Sequence, residues 1–463
     1  MLIQTVKNVF SIKELRNKIL FTLSMLAVYR IGFWIPVPGI NQEELARMFE
    51  RQGEDQGALS RLGDFMSTFS GGALSHSTIF GLGIMPYISA SIIFQLLASA
   101  WPALKKIQEE GPTGRQKIME WTRYVTVGLC IMQGIFWLGY MAKQGMVYVE
   151  FANSPLWWVM GTAALTAGTV FLMWLGEQID KHGIGNGVSM IIMAGILARF
   201  PDAIVTLYRN FEPGEPDKIG YMGIIVLAAG FVGVIAGSVL MTVAQRRIPV
   251  QQAKHTRGRR VFGGQKSYLP LRLNHGGVMP IIFASSLMIF PSVIFSGLAE
   301  TSKAGGGWFY TSMTWISNEL KAGAYLHELG FMLMIFFFSY FWITVQFNPE
   351  EMAKQMKEHG SFIPGLRPGP RTAEYLETVM TRITYVGAAF LCIIAVLPTV
   401  VNTAMNVDYS IAQFFGGTSL LIVVSVTLDF LQRVEAALLM RNYEGILSAG
   451  EETKGPRIRS ARA

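Results

Sequence analysis

The residues best suited to chemistry in this chain are basic side chains clustered between positions 245 and 272. Eight arginines and lysines lie there without any aspartate or glutamate: Arg246, Arg247, Lys254, Arg257, Arg259, Arg260, Lys266 and Arg272. Such a cluster attracts RNA, acidic protein surfaces or anionic lipid, and arginine binds phosphate through paired hydrogen bonds. Few aromatic residues interleave, which favours a docking surface over sequence-specific reading of a nucleic acid. A purely topogenic role of these charges in a membrane protein is the alternative.

Side chains that could support catalysis or metal binding are scattered. Cys130 and Cys392 each lie within an apolar stretch, and neither they nor the six histidines form a metal-ligand or nucleophile motif. Ionisable residues within apolar stretches lie mostly near their ends, and no paired carboxylates lie mid-stretch. An ion-coupled transporter needs such groups at depth, so their absence counts against that class. An intramembrane enzyme would need a nucleophile, a base or a metal site at depth, and the sequence supplies none.

A short phrase occurs twice in the chain. Gly83-Ile84-Met85-Pro86-Tyr87-Ile88-Ser89-Ala90-Ser91 returns as Gly277-Val278-Met279-Pro280-Ile281-Ile282-Phe283-Ala284-Ser285. Glycine and proline near the start of an apolar helix loosen it, and matched interruptions in two halves of a chain point to a pathway between structural repeats. Ile88 and Ile282 hold equivalent positions. Aliphatic side chains that meet near a membrane midplane would form a dewetting constriction.

The elements that position these residues are membrane spans. Apolar residues make up 51% of the 463 residues and charged residues only 15%, which is low for a soluble domain. Charge-free stretches long enough to cross a bilayer recur throughout. We predict ten spans, at 18–35, 76–98, 120–140, 157–178, 187–207, 219–244, 273–296, 329–347, 380–400 and 411–433. The first is expected to remain as an anchor because the N-terminus lacks a cleavable signal pattern.

Basic residues are unequally divided between the two sides that these spans define. With the N-terminus inside, the cytoplasmic segments hold 26 lysines and arginines against 8 on the other side. This asymmetry predicts that both termini are cytoplasmic. The second span then runs inward and the seventh outward, so the repeated phrase predicts two inverted halves of five spans each.

The predicted organisation has five segments. They are a cytosolic N-terminal amphipathic segment (1–18), a first half (19–207), a hinge loop on the far side (208–218), a second half (219–436) and a cytosolic tail (437–463). The second half carries the long cytosolic loops 245–272 and 348–379. In the latter, Ile363-Pro364-Gly365-Leu366-Arg367-Pro368-Gly369-Pro370 is expected to present Arg367 on a stiff tip. Residues 62–74 are too short to span, and by themselves predict either an outer loop or a short re-entrant helix.

Longer motifs resemble one known family. They are Tyr29-Arg30-Ile31-Gly32, Ile35-Pro36-Val37-Pro38-Gly39-Ile40, Phe69-Ser70-Gly71-Gly72-Ala73-Leu74-Ser75, Gly83 to Ile93, Trp174-Leu175-Gly176-Glu177-Gln178-Ile179, Gly183-Ile184-Gly185-Asn186-Gly187, Gly258-Arg259-Arg260 and Phe415 to Val424. In type and order they are similar to the SecY/Sec61-alpha family, from about residue 12 to about 448. The resemblance implies an all-α membrane protein whose ten helices, in two inverted halves, surround an hourglass pore closed by a short plug helix.

The resemblance also implies roles for particular residues. The pore ring would be Ile84, Ile88, Val188, Ile192, Ile282 and Ile422, with Val188 in place of the isoleucine familiar in bacterial relatives. The plug would fall within 62–74, at Asp64, Phe65, Met66, Ser67, Thr68, Phe69, Ser70, Gly71 and Gly72. The lateral gate would lie between spans two and three and spans seven and eight, with Gln95, Ser285 and Ser286 as polar candidates. Arg246, Arg247, Arg259, Arg260 and Arg367 would receive a motor or ribosome.

The function implied is the central protein-conducting channel of the Sec translocon in a bacterial inner membrane, which is not an enzyme and needs no cofactor. Unfolded secretory proteins would cross it, and transmembrane segments would leave sideways into lipid. Implied partners are the small membrane subunits SecE and SecG, the ATPase motor SecA, the ribosome, signal sequences and unfolded preproteins, anionic lipids, YidC and SecDF. A secondary transporter for a small solute is the main alternative, and a ribosome-binding scaffold without a pore is another.

Overall fold

The structure, a computed structural model, describes residues 12–45, 77–143, 145–152, 154–209, 211, 220–252, 255–257, 260–262, 266–302, 307–320, 324–405 and 417–452. Its first half contains α1 (Lys13–Gly32), α2 (Met85–Ala100), α3 (Pro102–Glu109), α4 (Pro112–Lys143), α5 (Val149–Ala152), α6 (Pro155–His182), α7 (Gly187–Ala198) and α8 (Phe200–Arg209). The second half contains α9 (Tyr221–Val243), α10 (Met279–Ser302), α11 (Trp308–Glu319), α12 (Tyr325–Gln346), α13 (Pro349–Glu358), α14 (Pro370–Met405) and α15 (Thr418–Glu452).

A helix occupies each of the ten predicted spans. Over the described ranges, six helices have the length and hydropathy to cross a membrane, and α2 with α3 makes a seventh candidate that bends by 107° at the junction. The bend follows Trp101, whose extended backbone (φ −110°, ψ 112°) precedes Pro102. Proline disfavours helical backbone in the residue before it, so one helix ends and another begins here.

Two predicted boundaries were wrong. Residues 77–84 of the second predicted span form turns, and α2 begins only at Met85. Ser77 and Gly83 have φ values of 43° and 59°, which a helix does not allow. The predicted loop 348–379 contains α13 and the first turns of α14, which starts at Pro370. Proline is favoured in the first turn of a helix, where its missing N–H leaves no bond unmade.

The loop 245–272 folds as a β-hairpin, which the sequence analysis did not foresee. Strands β1 (Gln245–Gln252) and β4 (Lys266–Arg272) are antiparallel, β2 (His255–Arg257) pairs with β3 (Arg260–Phe262), and β5 (Ser361–Phe362) adds to the free edge of β1. The sheet order is β4-β1-β5. Pairing of β1 with β5 joins the two long predicted loops into one sheet, which lies where α9 and α12 end and where α10 and α14 begin.

One large apolar core draws on both halves. It contains buried residues of α2, α6 and α7 together with residues of α9, α10, α12, α14 and α15. The closest packing of described helices across the halves is between α7 and α15, where the Thr427 hydroxyl lies 3.5 Å from the Met193 sulfur. The first half has a smaller core of its own around Trp157, whose indole N–H donates to the Pro38 carbonyl at 2.8 Å.

Candidate pore and docking surface

The two copies of the repeated phrase have the same backbone. Gly83 and Gly277 have φ values of 59° and 57°, a left-handed conformation that side chains other than glycine rarely adopt. In both copies the helix starts two residues later, at Met85 and Met279, with proline as its second residue. The Ile88 N–H donates to the Ile84 carbonyl at 3.1 Å, and the Ile282 N–H donates to the Val278 carbonyl at 3.2 Å. Two distant segments therefore build the same helix start.

The predicted ring residues meet in the large core. Ile84, Ile88, Ile192, Ile282 and Ile422 are buried members of it, and Val188 is half-buried against them. Ile84 and Ile88 lie at the start of α2, and Val188 and Ile192 lie on α7. Ile282 lies on α10 and Ile422 on α15. Four helices, two from each half, thus bring branched aliphatic side chains to one region. We call these six residues the throat.

Local bonds fix the start of α7 and so position Val188 and Ile192. The Asn186 side chain caps the helix by accepting from the Ser189 N–H at 3.0 Å, and Asp180 accepts from the Gly187 N–H at 2.8 Å. A Cβ on Gly187 would overlap the Gly176 carbonyl of α6. The start of α7 can approach α6 this closely because residue 187 is glycine.

The sequence analysis missed one throat candidate. Val278 matches Ile84 in the repeat and packs, half-buried, against the same core. Aligning the two copies from their glycines onward would have nominated it. A second missed feature is the ion pair of Arg123 on α4 with Glu177 on α6. The guanidinium donates twice to the carboxylate, at 3.0 and 2.8 Å, so Arg123 has a protein partner instead of extending alone to the interface.

The three-stranded sheet carries part of the predicted docking surface. Ile248, Val250 and Leu271 point into an apolar cluster with α12 and α14, while Arg246 and Arg247 are exposed on β1. Arg260 lies on β3, opposite Arg257 in the register. Arg259 lies outside the described residues. An apolar underside thus holds a sheet whose outer surface is basic.

Arg367 is exposed on a tip beside the same sheet. The tip turns through Gly365 and Gly369, with φ values of 88° and 124°. The Thr372 hydroxyl donates to the Arg367 carbonyl at 2.9 Å, and the Leu366 N–H donates to the Ile363 carbonyl at 3.1 Å. Because β5 closely precedes this tip and pairs with β1, Arg367 follows a strand of the same sheet that carries the arginines of β1.

Comparison with known proteins decides the family. The SecY family model matches residues 78–431. The protein translocase subunit SecY of Chlamydia muridarum is 40% identical over 467 aligned residues, covering 98% of this chain and 100% of the relative. Its counterpart in Escherichia coli K12 is 42% identical over 435 residues, covering 94% of each chain. This chain belongs to the SecY family.

Solved structures agree with the fold of the SecY family. A structure concerning the plug domain of SecY and the closed state of the translocation channel has a TM-score of 0.58 at 20% identity, covering 91% of this chain and 92% of that one. Canine Sec61 in a ribosome–channel complex has a TM-score of 0.55 at 17% identity with the same coverage. The predicted membrane fold of this family is confirmed.

The remaining residues implied by the SecY resemblance are placed unevenly. The plug positions, 62–74, lie outside the described residues. Gln95 is half-buried on α2, where its amide N–H donates to the Ser91 hydroxyl at 3.2 Å, and Ser285 on α10 donates to the Ile282 carbonyl at 3.0 Å. Both bonds stay within one helix. Ser286 is on α10. The structure thus puts these residues on α2 and α10, two helices of the expected gate.

Proposed function

We propose that this chain is the protein-conducting subunit of a Sec-type translocase in a bacterial inner membrane, with both termini in the cytoplasm. The observation that carries the proposal is the throat, where aliphatic side chains from two halves with the same helix start meet in one buried region. The excess of basic residues on one side, 26 against 8, supports the orientation.

The throat suits a passage for polypeptides that must exclude ions. Its six side chains offer no polar partner to a hydrated ion, so a narrow opening between them would empty of water. Aliphatic groups make no sequence-specific demand on a chain that passes, and they rest on glycine-started helices that depend on few polar bonds. In this proposal residues 62–74 act as the plug, whose small side chains leave the throat at little loss of packing.

We propose that transmembrane segments leave sideways through a gate that has α2 and α4 on one side and α10 and α12 on the other. A signal of ten apolar residues gains about 3–6 kcal/mol on moving from the pore into lipid, at about 0.3–0.6 kcal/mol for each residue. That is enough to hold two helices apart while polar segments continue through the pore. Gln95, Ser285 and Ser286 would give such a seam polar groups that a passing chain can contact.

The basic sheet and the Arg367 tip are proposed to receive the partner that supplies force. We infer SecA and the ribosome as ligands of Arg246, Arg247, Arg259, Arg260 and Arg367. Arg246 and Arg247 are exposed on the sheet whose strand β5 leads to the Arg367 tip, and Arg260 lies on the β2–β3 pair, between β1 and β4 in the chain. SecE and SecG are proposed as membrane neighbours, with signal sequences and unfolded preproteins as cargo. Anionic lipids, YidC and SecDF complete the proposed set of contacts.

Ion leak through purified channels tests the throat. We expect Ile88→Gly with Ile282→Gly to raise resting ion permeability of reconstituted vesicles several-fold, because the narrowest apolar contact is removed. Deleting residues 62–74 should also raise it. The matched control is Ile225→Gly with Ile393→Gly, at exposed positions on α9 and α14, which should leave the leak unchanged. An unaltered leak in the throat variant would remove Ile88 and Ile282 from the ring.

Export of a precursor into vesicles tests the docking surface. Arg367→Glu should abolish most ATP-driven export while membrane insertion of the channel itself stays normal, because the tip would repel an acidic ligand. Arg209→Glu, at the end of α8 on the opposite side, makes the same change in net charge and should export normally. Normal export by the Arg367 variant would contradict the assigned role.

A further inference from the structure

The helix α11 presents an aromatic face that the proposed channel function does not use. It lies between α10 and α12, at the end of the molecule opposite the basic sheet, and packs along α10. Its twelve residues span about 18 Å, which is too short to cross a hydrocarbon core of roughly 30 Å. The helix therefore cannot be a membrane span of its own.

The exposed side of α11 follows helical spacing. Trp308, Thr311, Trp315 and Asn318 are exposed at intervals of three and four residues, as is Phe309 beside Trp308, while Tyr310, Met313 and Ile316 are half-buried. Trp308 is 80% exposed and Trp315 is 60% exposed. Residues 307–318 contain no charged side chain. Two exposed indoles on an uncharged face are poorly suited to water alone.

This face adjoins exposed apolar residues on the two helices that flank α11. On α10, Ile294 and Leu298 are exposed near the end that leads to α11, and on α12 the exposed residues begin with Tyr325 and Leu326. Tryptophan and tyrosine concentrate where hydrocarbon meets lipid headgroups, because their rings are apolar and their N–H and O–H groups need polar partners. Trp308, Trp315 and Tyr325 form such a belt.

We propose that α11 is an interfacial anchor whose Trp308 and Trp315 side chains insert into the headgroup layer of the leaflet opposite the basic sheet. The partner is phospholipid at the boundary between headgroups and acyl chains. Because α11 packs along α10, movement of the outer end of α10 must drag two indoles through this layer. The inference rests on the membrane fold and not on conduction. The anchor can therefore be disproved while the channel function stands, and the channel function can be disproved while the anchor stands.

Quenching of a fluorescent label tests where α11 lies. In a variant with Cys130→Ala and Cys392→Ala, the changes Trp308→Cys and Trp315→Cys each provide one labelling site in the assembled translocase, reconstituted in phospholipid nanodiscs. Nitroxide-labelled lipids and aqueous iodide are the quenchers. Lys357→Cys, exposed on α13, is the control for water, and Val232→Cys, exposed on α9, is the control for the hydrocarbon core.

We expect labels at 308 and 315 to be quenched most by nitroxide on the headgroup, with iodide quenching several-fold weaker than at Lys357→Cys. Iodide quenching equal to that at Lys357→Cys would overturn the proposal, since the face would then meet water. Quenching by mid-chain nitroxide equal to that at Val232→Cys would also overturn it. Protection from every quencher only when the other subunits are bound would assign the face to a protein partner instead.

A second set of variants tests whether the indoles do the anchoring. With the label at Thr311→Cys, changing Trp308 and Trp315 to serine should lower headgroup quenching several-fold and raise iodide quenching. Changing both to tyrosine keeps an aromatic ring with a polar tip and should preserve the original pattern. Equal quenching in the serine and tyrosine pairs would show that the aromatic face does not hold α11 at the interface.

Discussion

The two helix starts at Met85 and Met279 share a backbone but differ in their surroundings. The turn before α2 is pinned: the Val37 N–H donates to the Ser77 carbonyl at 2.8 Å and the Ile79 N–H donates to the Ile35 carbonyl at 3.0 Å. Phe80 stacks against both Tyr29 and Phe171, with ring centroids 6.3 and 6.0 Å apart. This start is part of a rigid frame.

The turn before α10 has open space at its glycine. A cavity of about 10 Å³ borders it, lined by Asn274, His275, Ser339 and neighbouring residues. A Cβ on Gly277 would meet no atom within 4 Å, and the local tie is the Asn274 amide N–H donating to the Gly277 carbonyl at 2.9 Å. The same backbone geometry can thus be stabilised by packing against other elements or by a hydrogen bond within the turn. We expect any opening movement to begin at α10.

The largest expected effect separates these two settings. A Cβ on Gly168 of α6 would overlap the Ile79 carbonyl in the pinned turn. Gly168→Ala should therefore lower the free energy of unfolding by about 3 kcal/mol, at the upper end of the overpacking penalty. Gly230→Ala on α9 meets no atom within 4 Å and should stabilise the helix slightly. Thermal unfolding in detergent would measure both, and equal midpoints would contradict a rigid first frame.

A smaller loss is expected at the second turn. Gly277→Ala forces a side chain into left-handed backbone without any clash, so the loss should be about 1–2 kcal/mol from strain alone. The same thermal unfolding measurement applies. A loss as large as that of Gly168→Ala would mean that the second turn is as tightly held as the first, and the comparison would fail.

The smallest effect concerns buried hydroxyl groups. The Ser339 Oγ beside the cavity has no hydrogen-bond partner among the described residues, whereas the buried Thr126 hydroxyl donates to the Thr122 carbonyl at 2.7 Å. Ser339→Ala should leave stability unchanged or raise it slightly, while Thr126→Val should lose about 1 kcal/mol. Destabilisation by Ser339→Ala would reveal a bond that stiffens the second turn.

The sequence predicted the helices well because a membrane span needs only length and apolar composition. Each of the ten apolar stretches contains a helix. The two repeated phrases lie where α2 and α10 begin, several residues after the predicted starts of those spans. The throat residues came from the matched phrase and the family motifs, and the structure brings them together. Their action as a seal stays a prediction.

The β-hairpin could not be predicted from the sequence pattern in the way that the helices were. Gln245–Gln252 carries two adjacent arginines and Pro249, so its alternation of inward Ile248 and Val250 covers only two positions. Its stability comes from pairing with β4 and from distant residues of α14, such as Leu376 and Met380. Likewise β5 has two residues and forms through its partner β1. Tertiary contacts of this kind leave little periodic signal.

The length of α14 has a mechanical consequence. It begins at Pro370, directly after the Arg367 tip, and continues for 36 residues to Met405. At 1.5 Å for each residue that is about 54 Å, well beyond a hydrocarbon thickness of roughly 30 Å. A push delivered at the tip would therefore act directly on one end of a long helix, at least as far as Pro398, without loops to transmit it.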